Sequence, residues 1–326
     1  GTKAALEQYP VGGILYSDKN ITSEEQFKTM LSNTRQYSKY PVFLMVSEEP
    51  GSGFVGKKLG FTATKNAKEI GATMDPYVSF TENTVIAEYL KNLGIDFNLG
   101  IVADVLSGEN TDGNIMNGHS FGTDPIIVSR MVFEGVNAHK LLGMNSSIGY
   151  FPGQGSLTVD PSVQVTVTQA TLDETISMYQ EMYTTAVEGG ASAIIVSHEY
   201  ADSLSSDNLP ASLSKDIYTS ILREKFALYD VILITDCLDK GTICEYYTSE
   251  EACVKAIKAG ADMLMCPENF EKGYKAVVEA VSGNVIAEAR INDALKRVYK
   301  VKYRSEFDSL LDAGEISTAI NGEEGE

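Results

Sequence analysis

The chain has 326 residues, 43% hydrophobic and 22% charged, which excludes a disordered or fibrous polymer and supplies enough length for one large α/β domain or two ordinary ones. Its 26 Lys and Arg against 45 Asp and Glu leave a formal charge of -19, so a phosphate backbone or an anionic membrane repels it and no nucleic acid is expected as partner. The longest apolar runs fall far short of the roughly 20 residues of a spanning helix, so no membrane segment is expected.

In chain order, a helix-like opening at Lys3 to Gln8 leads to an apolar run at Val11 to Tyr16. Helical periodicity then covers Ser23 to Gln36, and a second run, Val42 to Val46, ends at Ser47-Glu48-Glu49-Pro50. Further runs follow at Ile95 to Val102, Leu141 to Phe151, Ala193 to Ser197, Val231 to Thr235 and Met263 to Cys266. Between and after the later runs lie helical stretches at Asp124 to Lys140, Thr171 to Glu188, Lys215 to Phe226, Ser249 to Ala259, Glu271 to Val281 and Ala287 to Tyr303. Thr171 with Glu174 has capping-box spacing, and Asp124-Pro125 reads as a helix start.

Runs that are apolar throughout belong to parallel strands covered on both faces. One uninterrupted alternation without a linker predicts a (β/α)8 TIM-type barrel over residues 1–305, followed by an acidic tail over 306–326. The eighth strand is not visible; it lies upstream of Gly1, as a missing first strand, or the barrel is open. The chain opens at Gly1 without a basic and apolar leader, so an export signal is either removed or never existed.

In such a barrel, chemistry is expected at the C-terminal ends of strands. Those ends carry Glu48 and Glu49, Asp104, His198 with Glu199, and Asp236 with Asp239 behind it. A carboxylate ending an apolar strand is costly to leave unpaired, which singles out Asp236. Gly51-Ser52-Gly53-Phe54-Val55-Gly56 matches a dinucleotide fingerprint, but two carboxylates precede it where a pyrophosphate would be repelled. Cys237, Cys244, Cys253 and Cys266 contain no C-x-x-C pair and read as buried free thiols. With only His119, His139 and His198 in the chain, no metal centre and no cofactor is expected. His139 is expected on a helix surface.

Several motifs, in this order, resemble the N-terminal barrel domain of glycoside hydrolase family 3, particularly bacterial β-N-acetylhexosaminidases. They are Val11-Gly12-Gly13-Ile14 with Asn20, Asp96-Phe97-Asn98 leading to Val102-Ala103-Asp104, Ser120-Phe121-Gly122-Thr123-Asp124-Pro125, Phe151-Pro152-Gly153, His198, and Ile234-Thr235-Asp236. The resemblance runs from about Val11 to Tyr303. It implies that Asp236 is the nucleophile of a retaining mechanism, with a second group about 5 Å away protonating the leaving oxygen. It also implies a carbohydrate ligand containing N-acetylglucosamine, bound by Glu48, Glu49, Asp104, His119, Tyr150, Ser162 and His198. A bacterial cell-surface or secreted location is favoured over the cytoplasm, though location stays undetermined.

The chain departs from the family pattern at several points. Where the family has D-x-E-G-G-R, this sequence has Ser47, Pro50 and Ser52 while keeping Glu49 and Gly51. His119 replaces an arginine before S-F-G, Gly149-Tyr150 replaces K-H, and the acid/base D-S-H becomes Asp160-Pro161-Ser162. A serine hydroxyl cannot deliver a proton near neutral pH, so hydrolysis is expected to be impaired or lost. Three readings stay open: a glycosidase using Asp160, Glu48, Glu49 or Glu199 as donor, a non-catalytic carbohydrate- or partner-binding barrel, and an unrelated lyase or isomerase using Glu48 or Glu49 as base.

Overall fold

In the computed structural model, which describes residues 2–108 and 111–304, the apolar runs become strands β1 (Gly13–Leu15), β2 (Phe43–Val46), β3 (Phe97–Val102), β4 (Asn145–Phe151), β5 (Ala193–Val196), β6 (Ile232–Cys237) and β7 (Met263–Met265). The expected acidic tail lies outside the described residues. Helices α1 (Thr2–Gln8), α2 (Glu24–Tyr37), α3 (Phe54–Leu59), α4 (Ala67–Gly71), α5 (Pro76–Leu93), α6 (Pro125–Leu141) and α7 (Leu172–Gly189) cover the first half. A π-helix (Asp216–Lys225) and α8 (Gly241–Cys244), α9 (Ser249–Ala259), α10 (Phe270–Ser282) and α11 (Glu288–Lys302) complete it.

The strands form one sheet of seven in sequence order, every neighbouring pair parallel. Its two edges approach each other: a Cβ on Gly12, just before β1, would lie 3.2 Å from the Met263 methyl on β7. The sheet is therefore a nearly closed barrel of the TIM type with one strand missing. Alternate residues sort to its two sides. Phe43, Met45, Phe97, Leu99, Ile195, Ile232 and Ile234 fill the interior, whereas Leu44, Val46, Ile194, Val196 and Leu233 pack outward under the helices. Each such fully buried side chain contributes about 1.5–3 kcal/mol relative to exposure.

One end of the barrel is plugged. Val298 and Val301 of α11 join the interior cluster, Lys302 donates to the Pro41 carbonyl just before β2, and Arg297 pairs with Asp262 just before β7. Both anchors precede strands, so α11 closes the N-terminal end and leaves the C-terminal end to the loops. Capping boxes at Thr171/Glu174 and Thr248/Glu251 and the Asp124 cap on Ile126 start α7, α9 and α6, each worth about 1 kcal/mol.

Three expectations are corrected. The segment read as a strand from Leu141 begins as the end of α6, because Gly143 takes a positive φ of 68° that turns the chain before β4 opens at Asn145. Lys215 to Phe226 is helical but π-wound, with Phe226 N–H reaching back to the Ile221 carbonyl at 2.8 Å. His139 is fully buried, not at the surface. Its Nδ1 donates to the Gly135 carbonyl at 2.8 Å, and Asn98 Nδ2 lies 3.0 Å from Nε2, joining α6 to β3. Burial pushes its pKa down to about 4, so the ring is neutral.

Candidate active site

Asp236 stands at the C-terminal end of β6, half-buried, where one carboxylate oxygen, Oδ1, accepts the Cys237 N–H at 2.7 Å. The strand end beneath it is held on two sides. Thr235 Oγ1 accepts the Met265 N–H of β7 at 3.1 Å, and His198 Nε2 donates to the Cys237 carbonyl at 2.9 Å. Ser212 Oγ occupies the other ring nitrogen of His198 at 2.7 Å. With both nitrogens engaged and the ring fully buried, His198 fixes the main chain beside Asp236.

Asp104 is likewise internal. Its carboxylate accepts the Tyr150 N–H at 3.0 Å and the Gln154 N–H at 2.5 Å, tying down the loop that follows β4. Burial raises its pKa to about 6 against the opposing pull of those N–H groups. It is fully buried, and through these bonds it shapes the loop beside the site. Tyr150 lies at the end of β4 just before that loop, and its phenol is held well above its usual pKa by burial first and then by the carboxylates of Asp236 and Glu49. Tyr150 therefore lies in the fields of both groups, one on either side of the mouth.

Glu48 is internal too. It is buried, and its oxygens take the N–H groups of Val55 at 2.9 Å and Gly56 at 2.8 Å and the Tyr89 hydroxyl at 2.6 Å. The glycine pattern following β2 thus folds around an internal carboxylate where a pyrophosphate would sit, which answers the dinucleotide reading. Gly100 on β3 lets this segment approach: a Cβ there would be 2.3 Å from the Glu48 carbonyl oxygen. Glu49 is different, because its Oε2 lies 2.5 Å from His119 Nδ1 and the imidazole side chain is 41% exposed. The glutamate holds the His119 pKa above its ordinary value, and the two form a hydrogen-bonded pair at the loop surface.

The segment at the expected acid/base position packs against the turn after Asp236. Gly241 N–H donates to the Ser162 carbonyl at 3.1 Å, and the Thr242 hydroxyl donates to the Pro161 carbonyl. Asp160 is exposed and turns its Oδ1 back on the Ser162 N–H at 2.7 Å. Glu199, weighed as a donor from sequence, is fully buried beside the Ser197 hydroxyl. Burial raises its pKa to about 8, which keeps it protonated near neutral pH. Sequence reasoning missed the thiols of Cys237 and Cys266, which touch at 3.0 Å beside Asp236; their positions at the ends of successive strands were the available signal. Among the described residues, no group of three or more His, Cys, Asp or Glu is arranged to hold a metal ion, and no helix is long and apolar enough to cross a membrane.

Residues 1–301 match the model of the glycosyl hydrolase family 3 N-terminal domain. The chain belongs to this family. Among curated relatives of this family 3 domain, Beta-hexosaminidase A of Pseudoalteromonas piscicida is 23% identical over 329 residues, covering 91% of this chain and 54% of that protein. Beta-hexosaminidase of Hydrogenovibrio crunogenus is 24% identical over 261 residues, covering 78% and 71%. A solved family 3 β-N-acetylglucosaminidase from Paenibacillus superposes with a TM-score of 0.86 at 24% identity, over 100% of this chain and 61% of that one. The chain thus spans about half to three-fifths of the length of the Pseudoalteromonas and Paenibacillus proteins. The structural likeness establishes the barrel.

Proposed function

We propose that this family 3 domain binds a carbohydrate bearing N-acetylglucosamine at the C-terminal mouth of the barrel, and that Asp236 attacks the anomeric carbon without an efficient proton donor. The observation that carries the reading is the pairing of a strand-end carboxylate, held by the Cys237 N–H, with an acid/base segment that offers only Asp160, exposed and bonded to Ser162 N–H. Glu49 and His119 form the polar pair on the opposite loops, suited to sugar hydroxyls through charge-assisted hydrogen bonds. Tyr150 supplies a ring and a hydroxyl between the two sides.

Such a site has a distinctive chemistry. General acid catalysis contributes roughly 10²- to 10⁴-fold, and its loss falls on leaving groups that need a proton. A dinitrophenyl β-N-acetylglucosaminide needs none. The test is turnover of this substrate beside a methyl or disaccharide glycoside. Dinitrophenolate release that depends on Asp236, with negligible release from the methyl glycoside, supports the reading; brisk cleavage of both contradicts the impairment.

The second reading, a binding barrel without catalysis, is favoured by the charge lost where Gly149-Tyr150 stands in place of K-H. It predicts calorimetric heat with N-acetylglucosamine oligomers and no Asp236-dependent release from the dinitrophenyl substrate.

A further inference from the structure

We propose that Cys237 and Cys266 form a dithiol modification site that a low-molecular-weight disulfide oxidises to a bridge between β6 and β7, beside Asp236. Cys237 is the last residue of β6 and Cys266 follows directly on β7. Their sulfurs lie 3.0 Å apart and both residues are half-buried at the open end of the barrel. The backbones are already in register around them, with Cys237 opposite Met265 and the Leu238 N–H bonded to the Met265 carbonyl at 2.9 Å. Neighbouring parallel strands run about 4.8 Å apart, within reach of the Cα separations that disulfides use, and the sulfurs need to close by about 1 Å. The other two thiols have different surroundings: Cys253 is buried and Cys244 donates to the Leu238 carbonyl at 3.4 Å.

The chemistry balances with the added disulfide as oxidant. The Cys237 thiol donates to the Cys266 sulfur and holds the Cys266 pKa below its ordinary value, which makes Cys266 the attacking group. Its thiolate displaces one thiolate from the reagent and leaves a mixed disulfide. The Cys237 thiolate then attacks the Cys266 sulfur and expels the second. The protein gives up two protons and two electrons, and the reagent becomes two thiols. The bridge falls on the residue whose N–H holds Asp236 and whose carbonyl accepts from His198, so it acts on the main chain that presents the carboxylate.

The test uses the full chain and oxidised glutathione at pH 8, followed by alkylation and peptide mapping, and its readout does not depend on hydrolysis. The expected result is loss of two of the four free thiols, a linked pair of peptides containing Cys237 and Cys266, and recovery with dithiothreitol. Cys266→Ser abolishes the bridge, whereas Cys253→Ser retains it. Circular dichroism establishes that each variant is folded. Persistence of all four thiols in the folded protein, a stable glutathione adduct on either cysteine of the unsubstituted chain, or a bridge to Cys244 overturns the proposal.

Discussion

His198 donates from Nε2 to the carbonyl of Cys237 at 2.9 Å, one residue past Asp236. The imidazole sits beneath the strand end and braces it, with Ser212 on its far side. Replacing it by His198→Ala leaves a buried carbonyl and a buried hydroxyl unsatisfied. We expect a loss of about 1–3 kcal/mol in unfolding free energy, read by urea denaturation. His198→Phe, which fills the space without the donor, is expected to recover packing but not the hydrogen bonds.

Installing the family's acid/base triplet is the converse experiment. Pro161→Ser combined with Ser162→His places an imidazole next to Asp160 on the segment that Gly241 and Thr242 already tie to the turn after Asp236. The double substitution is expected to raise cleavage of a methyl β-N-acetylglucosaminide by roughly 10²-fold or more. Dinitrophenyl release is expected to change little, since that leaving group leaves unaided.

Glu199 predicts a pH dependence of stability with a defined sign. Its folded pKa of about 8 lies above the ordinary 4.5, so the native state keeps a proton that the unfolded chain releases. Stability therefore falls as pH rises between those values, by up to about 1.4 kcal/mol per pH unit. His139, at about 4 instead of 6.5, acts with the opposite sign, and Asp104, at about 6, with the same sign as Glu199. Both fade out by about pH 7.5 and are common to the unsubstituted chain and Glu199→Gln, so they cancel in the difference. Urea unfolding of the unsubstituted chain and Glu199→Gln across pH 6.5 to 8 isolates the glutamate: the variant is expected to show the flatter profile.

The Glu49–His119 pair at the loop surface makes a separate prediction. Glu49 raises the His119 pKa by accepting its Nδ1 proton. In Glu49→Gln that support is lost, and the imidazole is expected to titrate at lower pH in an NMR titration of the ring protons. Affinity for N-acetylglucosamine oligomers is expected to fall in the same variant, measured by calorimetry.

How far the sequence disclosed this site depends on which residue is asked about. The strand at Val231 to Thr235 announced itself by five apolar or β-branched residues in a row, and the aspartate after it followed from its position alone. The barrel was legible for the same reason: the central runs, such as β2, β3 and β5, are buried on both faces, so their composition carries no helix period. Glu48 and Glu49, adjacent in sequence, could not be told apart, because only the fold of the following glycines turns Glu48 inward to the Val55 and Gly56 N–H groups and leaves Glu49 for His119. His139 was misplaced because it stands beside the exposed Lys140 near the end of its helix, whereas α6 packs against both α5 and α7 and its buried face is broad enough to include it. The contact of Cys237 with Cys266 depends on the register of β6 against β7, which no local pattern encodes.

The most direct test of the central claim is covalent trapping with a 5-fluoro-N-acetylglucosaminyl fluoride, whose slow turnover allows a glycosyl-enzyme to accumulate. One added glycosyl mass is expected, located by peptide sequencing on Asp236 and absent from Asp236→Ala. No adduct on the folded chain, or an adduct on any other residue, contradicts it.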